Sequence, residues 1–314
     1  MRIKNKKAIS TIIAVTVAVS ILVAFSATAS AGTINVDCDA TGCVGSGQTE
    51  PYSVVCGTDT VTIVPTKTSA NNQNQELTLP ENAVEVAPGV FYLGESMDNG
   101  KVVEGYAFVH YVKPAANSNP VDWDETVDIY KFMFGGIKWA ETMQYEVNIA
   151  GSGLKKAEVL KALGASLDTW NDAIAEKLSS FKLFDKLVPL KEDATPGEND
   201  EHNIVVWEDL SEIYGANVIA VNSFWFNPAL KVIVDSDVVF NAYYTWSTDE
   251  FCDEEAMDLQ NIATHEFGHN GLNDLYSSPS VALTMYGYGD FGDIEKRTLG
   301  TGDISGIQKL YGSP

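Results

Sequence analysis

His265-Glu266-Phe267-Gly268-His269 constrains this 314-residue chain more than any other stretch. Two histidines four apart share one helix face, where their imidazoles can hold a single zinc ion. Glu266 between them stands where a carboxylate can take a proton from a metal-activated water and return it to a leaving amine. Met257, Leu259, Ile262, Ala263 and Phe267 give the segment from about 253 an apolar stripe, which predicts a core helix. Gly271 then permits the sharp turn that would bring Asp274 back toward the metal. The pattern predicts a metal hydrolase.

A third ligand has to come from a short inventory. The chain has four histidines, His110, His202, His265 and His269, and none follows the motif. His110 falls in an alternating run with Tyr106, Phe108 and Val112 on one strand face, which reads as a packed structural histidine. His202 lies in an acidic stretch and reads as solvated. Asp274 is the leading candidate, because carboxylate oxygen is an ordinary zinc ligand; Asp290 and Asp293 are the alternatives.

Outside this motif the sequence bounds location and partners. Arg2, Lys4, Lys6 and Lys7 precede an uncharged run from Ala8 to Ala31 that ends Ala29-Ser30-Ala31, the pattern of a secretory signal with a small-residue cleavage site. The same run is long enough to span a bilayer of about 30 Å as an uncleaved anchor. Either way the rest of the chain is expected to be secreted or at the cell surface, touching membrane only through this segment. Cys38, Cys43, Cys56 and Cys252 form an even set, as expected for disulfides in an oxidising compartment, with the pairing open. Forty-three acidic against 20 basic residues give a net charge of −23, the wrong sign for binding nucleic acid.

The C-terminal part resembles the metzincins, and among them the matrixin-type peptidases and their shorter prokaryotic relatives. Their extended motif is HExxHxxGxxH, or the same with Asp as last ligand, followed by a methionine turn. Leu283-Thr284-Met285-Tyr286-Gly287-Tyr288 is the counterpart of that turn, and residues 299–312 resemble the closing helix, with Ile304, Ile307 and Leu310 on its buried face. The resemblance extends back to about 134. Residues 136–139 and 143–148 look like the first strand. Val159, Leu160, Leu163, Leu167, Trp170, Ile174 and Leu178 mark a long amphipathic helix, and strands are expected at 203–207, 217–221 and 231–234.

The resemblance implies an α+β, metzincin-like catalytic domain over 126–314, with a twisted mixed β-sheet, a long backing helix, a zinc helix and a C-terminal helix. A signal or anchor over 1–31 and a small β-rich segment over 32–125, a propeptide or accessory domain, would precede it. His265, His269 and Asp274 would bind one catalytic zinc, with Glu266 as general base and acid and Met285 beneath the metal. A peptide or protein substrate would pair with an edge strand at Val218-Ile219-Ala220-Val221, and Tyr286 and Tyr288 would line its pocket or simply pack. Structural calcium would be held by acidic loops such as those of Asp193, Asp235 and Asp237. One departure stands out: Asp274 lies nine residues after His265, where the family places its third ligand ten after. The competing expectation is a non-catalytic surface or binding protein on a degenerate scaffold.

Overall fold

A computed structural model describes residues 79–80, 83–114, 123–177, 181–191, 194–215 and 217–312, together with the backbone of four strands near the N-terminus. The chain divides into two compact units, 1–72 and 73–314. In the first, β1 (Asn35–Asp39) pairs antiparallel with β2 (Gly42–Ser46), and β3 (Tyr52–Cys56) with β4 (Asp59–Ile63). The leader and the cysteine side chains Cys38, Cys43 and Cys56 lie outside the described residues. Among those described, no helix is long and apolar enough to cross a membrane.

The second unit runs β5 (Val84–Ala87), β6 (Val90–Asp98), β7 (Lys101–Val112), β8 (Glu146–Val147), α1 (Lys156–Ala175), β9 (Val188–Pro189), β10 (Ile204–Glu208), α2 (Ser211–Tyr214), β11 (Val218–Asn227), β12 (Val232–Asn241), β13 (Trp246–Ser247), β14 (Met257–Asp258), α3 (Leu259–Gly268), β15 (Tyr288–Gly289) and α4 (Thr301–Tyr311). One mixed sheet dominates, in the order β5-β6-β7-β11-β12-β10-β8-β9, with β15 beside β7. β9, β8, β10 and β12 are parallel, whereas β11 runs antiparallel to both β12 and β7. The period-2 alternation of strands sorts side chains to its two faces. Val205, Trp207, Val238 and Phe240 enter the helix-side core, while Ile204, Val206 and Val239 enter the opposite one.

The backing helix forms because its apolar residues recur at three- and four-residue spacing. Val159, Leu163, Leu167, Trp170 and Ile174 are buried against Leu259, Ile262, Ala263 and Phe267 of α3 and Ile307, Leu310 and Tyr311 of α4. α3 starts where the Asp258 carboxylate accepts from Asn261 N at 2.7 Å, an N-cap that also holds Arg297. The first strand expected over 136–148 shrinks to Glu146–Val147. The chain before it makes only single bridges, Lys138 to Val232 and Met143 to Phe184.

Two sequence readings are altered by the sheet. The β-rich stretch before 125 does not all stand apart, because β5 to β7 are strands of the same sheet as β8 to β12. Val218–Val221 is not an edge: β7 and β12 hydrogen-bond it on both sides, and all four residues are fully buried. The alternation of an extended strand reports which residues are buried, and says nothing of a partner more than a hundred residues earlier.

Gly268 is where α3 meets both α1 and the methionine turn: a Cβ there would fall 2.2 Å from Met285 Sδ and 2.7 Å from the Trp170 ring. Gly268→Ala is therefore expected to lower stability by about 1–3 kcal/mol through overpacking, as measured by urea unfolding in excess chelator. Unchanged stability would mean that these two side chains have room to give.

Candidate metal centre

α3 carries His265 and Glu266 inward, and His269 caps its C-terminus, its N–H bonding back to Glu266 O and Phe267 O. The chain then turns tightly, with Leu272 N donating to Gly268 O, so that Asp274 returns to the same point. Asp274 Oδ1 lies 3.2 Å from His265 Nε2 and 3.6 Å from His269 Nε2. The one-residue-short turn thus still delivers the carboxylate. Asp290 and Asp293 do not compete, since each caps a nearby backbone N–H, that of Phe291 and that of Glu295.

The donor set fits zinc on its chemistry. His265 Nδ1 donates to Thr284 O at 2.7 Å and His269 Nδ1 to Leu272 O at 3.1 Å, which fixes both tautomers and leaves both Nε2 lone pairs facing Asp274. His265 Nε2, Asp274 Oδ1 and Glu266 Oε2 are buried with no hydrogen-bond partner. Buried polar atoms without partners cost stability, and a cation satisfies the first two directly. Tyr276 Oη donates to the other Asp274 oxygen at 3.2 Å, which orients the carboxylate.

Below the pair, Met285 is buried in the methionine turn, which is stitched to the post-helix segment by Leu275 N to Met285 O and Gly287 N to Leu275 O. Asp303, at the start of α4, accepts from Thr284 N, Met285 N and Gly300 N. The turn that orients His265 therefore hangs on one buried carboxylate, which the sequence reading passed over.

Two further groups reach the centre. His110, on β7, is hydrogen-bonded to Glu266 through Nδ1, 2.9 Å from Oε1, and its ring lies 3.9 Å from that of His265. Alternation does place it on a face with Phe108, whose ring is 4.9 Å from His269; that this face looks onto α3 had no sequence signal. Lys296 is buried, its Nζ hydrogen-bonded to Tyr286 O and 3.3 Å from His110 Nε2. His202, by contrast, bonds Glu146 at 2.8 Å, far from the centre in the sheet.

Burial sets the electrostatics. It holds Glu266 well above the usual carboxylate range, with the Asp274 charge adding to the effect. It lowers Lys296 to about 8, and lowers His265 to about 4 with help from the Lys296 charge. Burial alone would raise Asp274 too, but His269 and His265 outweigh it and the carboxyl titrates low.

The fold is α+β, with a mixed sheet backed by helices, and it holds a cluster of histidines and carboxylates that could bind a metal ion. A family model described as Matrixin matches residues 208–312. Matrix metalloproteinase-25 of Homo sapiens is 36% identical over 80 residues, 25% of this chain and 14% of that protein's length. The part of the chain that carries the centre is matrixin-like.

A histidine with a lowered pKa keeps its lone pair below the ordinary value of 6.5, so protons displace a metal only at more acid pH. A zinc ion bound at these residues is expected to stay through pH 6.5 and to leave only at more acid pH, as read by elemental analysis after dialysis. Release near 6.5 would mean that His265 is solvated.

Proposed function

We propose that the chain is an exported zinc-dependent endopeptidase. The convergence of His265 Nε2, His269 Nε2 and Asp274 Oδ1 beside Glu266 carries this reading. In it, His265, His269 and Asp274 hold zinc, which supplies Lewis acidity toward water and a peptide carbonyl. Glu266 accepts the proton from the attacking water and delivers it to the leaving amine nitrogen. The apolar burial that raises its proton affinity suits the second task. Thr284 O and Leu272 O keep the two imidazoles in register. The charged leader supports export, and the family match supports a peptide or protein substrate.

A structural calcium is supported by β12. Asp235 and Asp237 are both buried; Asp235 faces the backbone N–H groups of Asp200 and Glu201 and the Asp200 charge, and Asp237 accepts from Ile204 N and Gly197 N. Burial, then the Asp237 charge, raises Asp235 well above the usual range, a cost a hard cation would remove. Asp193 lies outside the described residues. Disulfide pairing involves Cys252 only if its thiol, here hydrogen-bonded to Ala256 O at 3.4 Å, exchanges that partner.

The second reading, a non-catalytic binding protein, is favoured by one observation, the complete burial of Glu266 and His265. Elemental analysis separates the two. One zinc is expected in wild type, none in Asp274→Ala, and one in Glu266→Ala. Casein hydrolysis, assayed intact and after limited trypsin treatment followed by trypsin inhibitor, is expected to be chelator-sensitive and to fall by about 10²–10⁴ in Glu266→Ala. A folded wild type without zinc would favour the non-catalytic reading.

A separate readout addresses the calcium. Added calcium is expected to raise the thermal midpoint of wild type but not of Asp235→Asn; equal responses would remove Asp235 from any such site.

A further inference from the structure

The chain between β12 and α3, with the turn after β15, holds large aromatic rings outside the core. Phe251 is 79% exposed and Tyr243 68%, the two most exposed large apolar side chains among the described residues. A single exposed ring is ordinary, but these belong to a group. The Tyr243 ring lies 5.4 Å from that of Tyr244 at 81°, and the Tyr244 ring lies 5.5 Å from that of Phe291 at 74°. Rings set nearly perpendicular in succession make a corner, and the exposure of Tyr243 and Phe291 leaves part of it open to solvent.

The backbone beneath the rings is fastened. Met257 N donates to Thr245 O at 2.8 Å, and Gly292 N to Ala256 O at 3.0 Å. A Cβ on Gly292 would fall 3.3 Å from Glu254 Cα, so the Phe291 turn lies against the loop that carries Phe251. Charge then singles out the surface. Residues 249–255 hold Asp249, Glu250, Asp253, Glu254 and Glu255, all exposed, with no base among them, and exposed Asp290 precedes Phe291. Arg297 does not neutralise them, because its guanidinium donates to Asp258 and to the carbonyls of Asp249 and Glu250. We propose that 243–255 and 290–293 form a docking surface for an arginine- or lysine-rich segment of another protein.

A basic segment satisfies both halves of this surface at once. A ring face attracts a cation within about 6 Å of its centroid, and a guanidinium stacks flat on such a face while its N–H groups reach a carboxylate. The aliphatic stems of arginine and lysine then cover the exposed rings. Asp253 Oδ1 and Asp290 Oδ1 each accept a nearby backbone N–H, from Glu255 and Phe291, so the second oxygen of each, with Glu254 and Glu255, faces the partner. Because the loops are already ordered by backbone bonds, docking costs little in their conformational entropy. The other occupants fail on sign. Nucleic acid and anionic lipid carry the same charge as the loop, and a second copy meeting it face to face would set carboxylates against carboxylates.

None of these residues belongs to the metal centre, so the inference stands apart from the peptidase reading. The test uses the full chain carrying Glu266→Ala, so that cutting cannot interfere, and a fluorescent peptide of alternating arginine and glycine followed by anisotropy. The parent is expected to bind this peptide and not its glutamate–glycine counterpart, and to bind it more weakly as salt rises from about 0.05 M to about 0.5 M. The double variant Tyr243→Ala, Phe251→Ala is expected to weaken binding about tenfold, and Glu254→Lys with Glu255→Lys to weaken it at least as much. All four side chains are exposed, so an unchanged thermal midpoint is expected in both variants. No binding of the arginine peptide, equal binding of the two peptides, or full binding by the aromatic double variant overturns the inference. So does a dimer in sedimentation, or flotation with phosphatidylserine vesicles, that the aromatic double variant abolishes, since the occupant would then be a second copy or a membrane.

Discussion

The carboxylate of Asp303 holds the arrangement on which the centre depends. By accepting from Thr284 N, Met285 N and Gly300 N it fixes the methionine turn, and Thr284 O in turn fixes the His265 ring. Each of these bonds lies in the protein interior, where an unmade hydrogen bond is expensive, so the geometry has few alternatives. Trp170 completes the brace by donating to Thr264 O, which ties α1 to α3 one residue before His265. The His265 ring is thus oriented by a backbone carbonyl whose position is set by a side chain from α4.

Much of this was legible in the sequence because it rests on local periodicity. The apolar spacing that marks α1, the motif on α3 and the closing helix each depend on residues within a few turns of one another, and each appears where expected. Asp274 is the candidate third ligand by elimination, since no histidine lies downstream, and the structure places its carboxylate beside both imidazoles. Its delivery by a turn one residue short follows from the Gly268 O to Leu272 N bond that tightens the helix exit.

What escaped was everything that depends on distant pairing. His110 and Glu266 are separated by 156 positions, and no pattern within a strand announces such a partner. Lys296, a buried cation among histidines, looks in sequence like any solvated lysine beside Glu295. Asp303 reads as a first-turn helix acid, which it also is, and its service to the methionine turn emerges only in three dimensions. The same limit explains the edge-strand expectation. Val218–Val221 has the composition of a buried strand, which suits a strand covered on both sides as well as one waiting for a ligand.

Chain order adds a kinetic meaning to the sheet. β7 precedes β11, α3 and β15 in sequence, so during synthesis this strand leaves the ribosome before any of the elements it will pair with or pack against.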